Sequence, residues 1–578
     1  MNKLCQSNIK AWIQNNILMV IITIGAFFLL FMNLGNAYAP IDEANTLMLS
    51  KNTAIYGFPT IWDGDYMVVP YSNDDVSSDL VWVAHPWLQF YVTAASFKLF
   101  GYTNVAARLP FAFAGLLSIV SIYFLTKYIS GSKRMSQISS LLLTFNTAFL
   151  LYSRAARYYS ITILFSILIL YFFLKWIKEK KFKNSLLYVI SSVLLFHSYY
   201  PFWAFVTLAI GIYGLYHIIA NKLIGFLKQF ILSHIIIGLL TLTWFIYAPP
   251  HGPVDTKPQL DDWFFNFKIY IWKLNTWLVP IYTLAAILLV MLLITKLVKI
   301  IKNNRAKESK KNFNIKKTGI HMNSHYTIFL CVPLYIAFIS TISMLTTQYV
   351  MPAIPYMTII AAFLIMKIKE YNKWVGCITL AACLSTNILN IAPYIIVDKS
   401  GINLESAKNF IVNPRCDFTE GTTLEHFIKD EMAVRSYQYD FISSLFLDYD
   451  NRLEGIITYL QENGNENQTV LACWADANAL RFYTGMHVVY EFLPIFDNSE
   501  VIETVQNKKV EPDWVLQDTL VMFEPSDPFY SYNKENYKLI EILYPKEFFD
   551  NHTNLDFFKF KTNYLDAPQS FYILGKEN

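Results

Sequence analysis

Apolar runs long enough to cross a bilayer recur along the first 397 positions, separated by short polar stretches, and then stop. A bilayer core takes about 20 apolar residues per helix. The pattern therefore predicts about eleven transmembrane helices, near 12–34, 109–127, 137–153, 158–175, 184–199, 202–220, 229–248, 276–296, 326–346, 349–367 and 374–396. Residues 182–221 could form one long helix, but Tyr199-Tyr200-Pro201 midway is a turn signal and basic residues flank both ends, so a hairpin is expected. Beyond Val397 charges interleave and no long apolar run remains. There 453–464 has the spacing of an amphipathic helix ending at a glycine, 469–474 reads as a strand, and Asp476 begins a short helix. Further strands are expected at 487–492, 514–516 and 571–574. The expected architecture is a polytopic α-helical membrane domain, 1–397, with a soluble α/β domain at 398–578.

Charge orients this threading, because Lys and Arg accumulate in cytoplasmic loops. With the N-terminus inside, 24 basic residues fall in inner loops and 8 in outer ones, and an odd number of spans leaves the C-terminal domain outside the cell membrane. The net charge of +4 hides this, since Lys and Arg outnumber Asp and Glu 32 to 13 up to Val397 and trail them 15 to 30 afterwards. Composition agrees with a membrane body: 54% hydrophobic and 17% aromatic residues, mean hydropathy +0.33, exceed what a soluble core needs. Ala37-Tyr38-Ala39 imitates a signal-peptidase site, but the apolar run before it is longer than a cleaved signal's core, so a retained anchor is expected. The six cysteines show no CxxC pair. Cys5, Cys331, Cys377 and Cys383 read as small core residues, while Cys416 and Cys473 share the C-terminal domain and are open to a disulfide. Asn467 and Asn551 fit glycosylation sequons, a triplet too common to carry weight.

The acids are unevenly placed. Ten of the thirteen in the membrane part fall in outer loops, seven of them in the first, 35–108: Asp42, Glu43, Asp63, Asp65, Asp74, Asp75 and Asp79. Most exposed carboxylates are simply solvated, but Asp42-Glu43 follows the first span closely, where a carboxylate would sit at the lip of the bilayer. The expected spans contain no Asp, Glu or Arg, and their four lysines, Lys127, Lys175, Lys296 and Lys367, each stand at a span's last position, whereas an ion-coupled transporter buries charged groups near the midplane. That favours an enzyme working at one face over the alternative, a transporter or flippase of lipid-linked saccharides. A receptor or scaffold on a passive anchor would not need eleven spans. The C-terminal domain shows no Gly-rich phosphate loop and no Ser-His-Asp order.

Six segments, YAPIDEANTL, HPWLQFY, AARLPFAFAGLLSI, YSRAARYYSI, LFHSYYPFW and QYVMPAIPYM, occur in an order that resembles the glycosyltransferase C superfamily of integral membrane sugar transferases, across roughly 15–395. The bacterial protein-mannosyltransferase and aminoarabinose-transferase-like enzymes are the nearest in kind. The resemblance implies inverting transfer of a hexosyl or pentosyl group from a polyprenyl-phosphate donor to a lipid, glycan or protein acceptor at the extracytoplasmic face, with no nucleic-acid partner. It places the catalytic base at Asp42, with Glu43 beside it. A phosphate leaving group needs no general acid, so one carboxylate taking a proton from the incoming hydroxyl suffices. The phosphate calls for guanidinium forks, and Arg108, Arg154 and Arg157 are the available ones near the outer face. His85 in HPWLQFY, Tyr158 in YSRAARYYSI and His197 in LFHSYYPFW complete the candidates. Some relatives hold a metal with an acid just before the histidine, where this chain has Ala84; a divalent ion on Asp42 and His85 is open. Gln348 stands where the family often has arginine.

Overall fold

The computed structural model describes residues 16–64, 66–68, 75–248, 260–305, 329–341, 347–390, 441–442, 445–446, 452–472, 474–490, 512–516, 537–543 and 570–576. Cys5, Asp65, Asp74, Cys416, Cys473 and Asn551, with the flanks of several expected spans, lie outside the described residues.

The chain is an integral membrane protein built mainly of helices. Among the described residues six are long and apolar enough to cross a bilayer: Asn104–Ser130 (α4), Tyr159–Glu179 (α7), Phe182–Ala220 (α8), Ile224–Tyr247 (α9), Ile281–Val298 within Ile281–Arg305 (α11), and Gln348–Tyr371, which ends in Ile354–Tyr371 (α13). Shorter apolar helices are Ile17–Phe31 (α1) and Lys373–Ser385 (α14), while Leu260–Lys273 (α10) is 14 residues long and Cys331–Ile339 (α12) is 9. Their outward faces remain apolar, as Ile231, Ile235, Leu239 and Leu242 on α9 and Leu289, Leu293 and Leu297 on α11 show, which is what a lipid solvent requires.

Helix α8 is 39 residues long, yet it doubles back. Tyr199 leaves helical geometry (φ −157°, ψ 91°) two residues before Pro201, which has no N–H to continue the ladder. Trp203 Nε1 donates to Ser192 Oγ at 2.9 Å, and Tyr188 and Tyr213 both meet Phe173 of α7, contacts only a reversed chain can make. The expected hairpin is thus present, with Tyr199 at its tip. The expected span 137–153 is instead two helices, Lys133–Thr144 (α5) and Thr147–Ser153 (α6). Asn146 causes the break: its Oδ1 caps α6 by accepting from Phe149 N at 2.8 Å, while its Nδ2 donates to Leu278 O.

The loop between α1 and α4 is structured. It holds helix Ile41–Tyr56 (α2), closed by Gly57 in the left-handed conformation (φ 87°), and helix Leu88–Phe100 (α3). Between them run the bridges Thr60–Val81, Trp62–Met67 and Val76–Trp82. Although rich in Asn, Thr and Ser, α2 is buried along nearly its whole length, packed between α3, α4 and the C-terminal residues.

Those C-terminal residues form an α/β module. Helices Arg452–Asn463 (α15) and Trp474–Thr484 (α16) pack on a five-stranded sheet of order β2-β1-β3-β5-β4. Strands Thr469–Ala472 (β1), His487–Tyr490 (β2) and Trp514–Leu516 (β3) are parallel, and Ser570–Lys576 (β5) runs antiparallel to β3 and to Tyr537–Leu543 (β4). The β4 strand had no counterpart among the expected elements. The module's core continues into the first loop, where Met48, Leu49, Ile61, Tyr66 and Trp82 pack with Ile457, Leu460, Val470 and Leu480. Polar contacts seal the join: Tyr66 Oη donates to Asn478 Oδ1 at 2.7 Å, Arg481 meets Asp63 at 3.2 Å, and Tyr483 Oη accepts from Ala39 N at 2.8 Å.

Candidate functional site

Both acids of the Asp42-Glu43 pair occupy the first turn of α2, just after Pro40. Unsatisfied backbone N–H groups and the helix dipole favour carboxylates there. The two side chains diverge in what they meet. Glu43, 3% exposed, takes Arg108 as a fork: Nε to Oε1 at 2.7 Å and Nη2 to Oε2 at 2.9 Å. Its Oε1 also accepts from Ala156 N at 2.7 Å. Arg108 spends its Nη1 on the carbonyls of Leu34 and Ala37. This bidentate pair binds α1's exit, α2, α4 and the α6–α7 turn to one another, and its donors are committed to protein.

Asp42 meets a different arginine. Its Oδ2 lies 3.4 Å from Arg157 Nη2, and the Arg157 Nη1 reaches Thr46 Oγ1 at 3.3 Å, one helical turn along α2. Arg157 also sits over the Tyr158 ring, 5.6 Å from its centroid. At 3.4 Å this ion pair is longer than the 2.7–2.9 Å of a strong charge-assisted bond and than the Glu43–Arg108 fork.

Tyr158 organises the remaining wall. Trp82, His85, Tyr158 and Tyr199 stack in succession, with centroids 6.1, 5.8 and 5.2 Å apart and interplanar angles of 6°, 30° and 4°. The ladder joins the first loop to the α8 tip, and Tyr335 extends it, its Oη lying 3.2 Å from Tyr199 Oη and donating its one proton to Tyr349 O at 2.6 Å. Beside it, Tyr159 Oη donates to Gln348 Oε1 at 2.6 Å, which brings the QYVMPAIPYM segment to the same place.

Four of the expected site residues therefore gather: Asp42, Arg157, Tyr158 and His85. Glu43 and Arg108 stand next to them as a closed pair. Arg154 faces elsewhere; its guanidinium donates to the carbonyls of Leu29, Leu30, Met32 and Asn33 and so caps the C-terminal end of α1. His197 leans on α9, where its partner is the Leu240 backbone. Sequence reasoning passed over Gln89, whose Oε1 accepts from Tyr158 N at 3.1 Å, and Thr46. The available signal was spacing: Gln89 lies four residues after His85, and Thr46 four after Asp42.

Asp42 and His85 offer a divalent ion two ligands, and among the described residues no three His, Cys, Asp or Glu side chains come together. The Arg157 cation already lies against Asp42. These residues do not fit a resident divalent ion, and the chemistry below uses none.

His85 is held neutral. Burial and the Arg157 charge bring its pKa down to about 3, against the opposing pull of Asp42. An unfolded histidine titrates near 6.5, so between those values the unfolded chain binds the extra proton and folding weakens as pH falls. The thermal midpoint of the purified protein is expected to drop between pH 7 and pH 5. A His85→Phe variant should show a flatter dependence, and identical slopes would mean that another group is responsible.

Residues 84–247 match the family model described as dolichyl-phosphate-mannose-protein mannosyltransferase. The match spans HPWLQFY, α4, the Arg157–Tyr158 turn and the α8 hairpin. No curated protein matches the sequence. Among solved structures, the chain is similar to ArnT from Cupriavidus metallidurans bound to undecaprenyl phosphate: TM-score 0.51, 14% identity, 89% of this chain and 95% of that one covered. The apo state of the same protein gives TM-score 0.47 at 13% identity, covering 90% and 95%. AglB, an oligosaccharyltransferase from Archaeoglobus fulgidus, gives 0.39 at 12%, covering 87% and 70%. The first of these likenesses establishes a shared fold, of the glycosyltransferase C type.

Proposed function

We propose that this chain, which carries a mannosyltransferase-family domain over residues 84–247, transfers a sugar from a polyprenyl-phosphate carrier to an acceptor hydroxyl at the extracytoplasmic face, with Asp42 as the base. The observation that carries the reading is the Asp42–Arg157 pair, 3.4 Å apart, at the N-terminus of a buried helix where several membrane helices end. Undecaprenyl phosphate in the similar ArnT structure supports a lipid-linked donor.

The roles follow from the chemistry. Arg157 faces the donor phosphate. Asp42 Oδ2 accepts the proton as the acceptor oxygen bonds to the anomeric carbon. The bond from that carbon to the phosphate oxygen breaks, and its electron pair stays with the phosphate, whose added charge Arg157 stabilises. A single displacement inverts the anomeric centre. Phosphate leaves as a stable anion, so the second carboxyl that a glycosidase needs has no task here. Glu43 is free to serve as the counter-charge of Arg108.

The test uses the full chain in lipid nanodiscs with a panel of undecaprenyl-phosphate hexoses and pentoses and cell-envelope acceptors. Release of undecaprenyl phosphate, with a matching mass gain on an acceptor, is the expected result. Movement of intact lipid-linked saccharide between leaflets without release would replace the transferase with a flippase.

A further inference from the structure

Two buried polar atoms beside the Asp42–Arg157 pair lack partners among the described residues, and both belong to side chains that touch Tyr158. Gln89 is 1% exposed. Its Oε1 accepts from Tyr158 N at 3.1 Å, which fixes the orientation of the amide and leaves the Nε2 enclosed with no acceptor. His85, one turn earlier, has its ring against those of Tyr158 and Trp82, and its Nδ1 is likewise enclosed and unpartnered. Leaving a buried donor or acceptor unsatisfied is costly, and proteins rarely do it without a reason. Here two such atoms belong to residues four apart in sequence, His85 just before α3 and Gln89 in its first turn, and both side chains meet the residue that follows Arg157.

We infer that Gln89 and His85 form a neutral subsite that hydrogen-bonds hydroxyls of the transferred sugar, so that they recognise the sugar and not the phosphate. The inference rests on the transferase reading and adds a recognition element to it. Its chemistry differs from that of the phosphate side. Gln89 is uncharged, and burial together with Arg157 keeps His85 uncharged as well. Neither is suited to clamping an anion, whereas an amide N–H and an imidazole nitrogen match the donor and acceptor faces of a hydroxyl. The site thereby divides into a charged half, Asp42 with Arg157, and a neutral half, Gln89 with His85, joined by Tyr158.

Equilibrium binding to the full chain in nanodiscs tests this without requiring turnover. The probes are undecaprenyl phosphate and its mannose, galactose and xylose phosphodiesters. The wild type is expected to hold at least one sugar-bearing lipid more tightly than undecaprenyl phosphate. His85→Phe keeps a ring in the stack but removes the nitrogens, and Gln89→Met keeps the volume but removes the amide. Each should weaken the sugar-bearing lipid about fivefold, the size of one net hydrogen bond, while the Kd for undecaprenyl phosphate stays within about twofold. Equal weakening of both lipids would mean that the two residues only position Arg157, and it overturns the inference. No change in either constant would mean that ordered water satisfies the two atoms, and it overturns the inference too. A wild type that binds undecaprenyl phosphate but prefers no sugar-bearing lipid rejects the subsite alone. One that binds none of the four rejects the transferase reading as well.

Discussion

Asp42→Asn is expected to lower sugar transfer per folded molecule by about 10²- to 10⁴-fold, the range for losing a positioned general base. The substituted amide keeps the size of the side chain and cannot accept a proton from an attacking hydroxyl. The substitution also removes a counter-charge from the buried Arg157, so some stability is lost with it and transfer is compared per folded molecule. Binding of undecaprenyl phosphate should survive, because Arg157 remains and is relieved of a competing carboxylate. Turnover by the variant within a factor of about three of wild type would remove Asp42 from the mechanism.

Glu43→Gln, one residue away, should do the reverse. Glu43 and Arg108 are 3% and 7% exposed and are joined by two short bonds, so losing the negative partner leaves a guanidinium buried without a counter-charge. Breaking such a pair costs about 3–5 kcal/mol, enough to cut the yield of folded protein sharply. An arginine side chain keeps its proton in proteins, so Arg108 cannot escape by becoming neutral. Per folded molecule, transfer should remain. The double variant Glu43→Leu, Arg108→Met should recover most of the midpoint, since replacing both members of a buried pair is far milder than removing one. If Glu43→Gln folds normally and loses transfer, the division of labour between the two acids is wrong.

Why adjacent acids should differ so much could not be read from the chain alone. The pattern located α2, because Asp42 and Glu43 precede a run compatible with a helix, and it located the motifs that meet there. Consecutive helical residues point about 100° apart, and which of the two directions faces Arg108 depends on the packing of α4 against α2. Arg154 shows the same limit. Its place in an outer turn beside Arg157 is legible, but its four bonds to the end of α1 need the tertiary fold. The α8 hairpin was legible because Tyr-Tyr-Pro is a local signal. The break at Asn146 was not, because its cause, a bond to Leu278, lies 132 positions away. In the C-terminal module, strands with an apolar core were found from their pattern, whereas β4 carries Lys538 and Glu541 and offered a weaker one.

The grip of α16 on the first loop also bears on how the protein is made. Ala39 and Tyr483 are bonded across 444 positions, and Tyr66 and Asn478 across 412. A ribosome would have released residues 34–68 and seen them inserted beside the first helix long before it polymerised the partners that hold them. During that interval α2 has no cover on one side, and its buried Asn, Ser and Thr side chains wait in contact with water or with a chaperone. Catalytic competence should therefore arrive late and all at once, on a timescale set by docking of the newly finished tail and not by insertion of the helices.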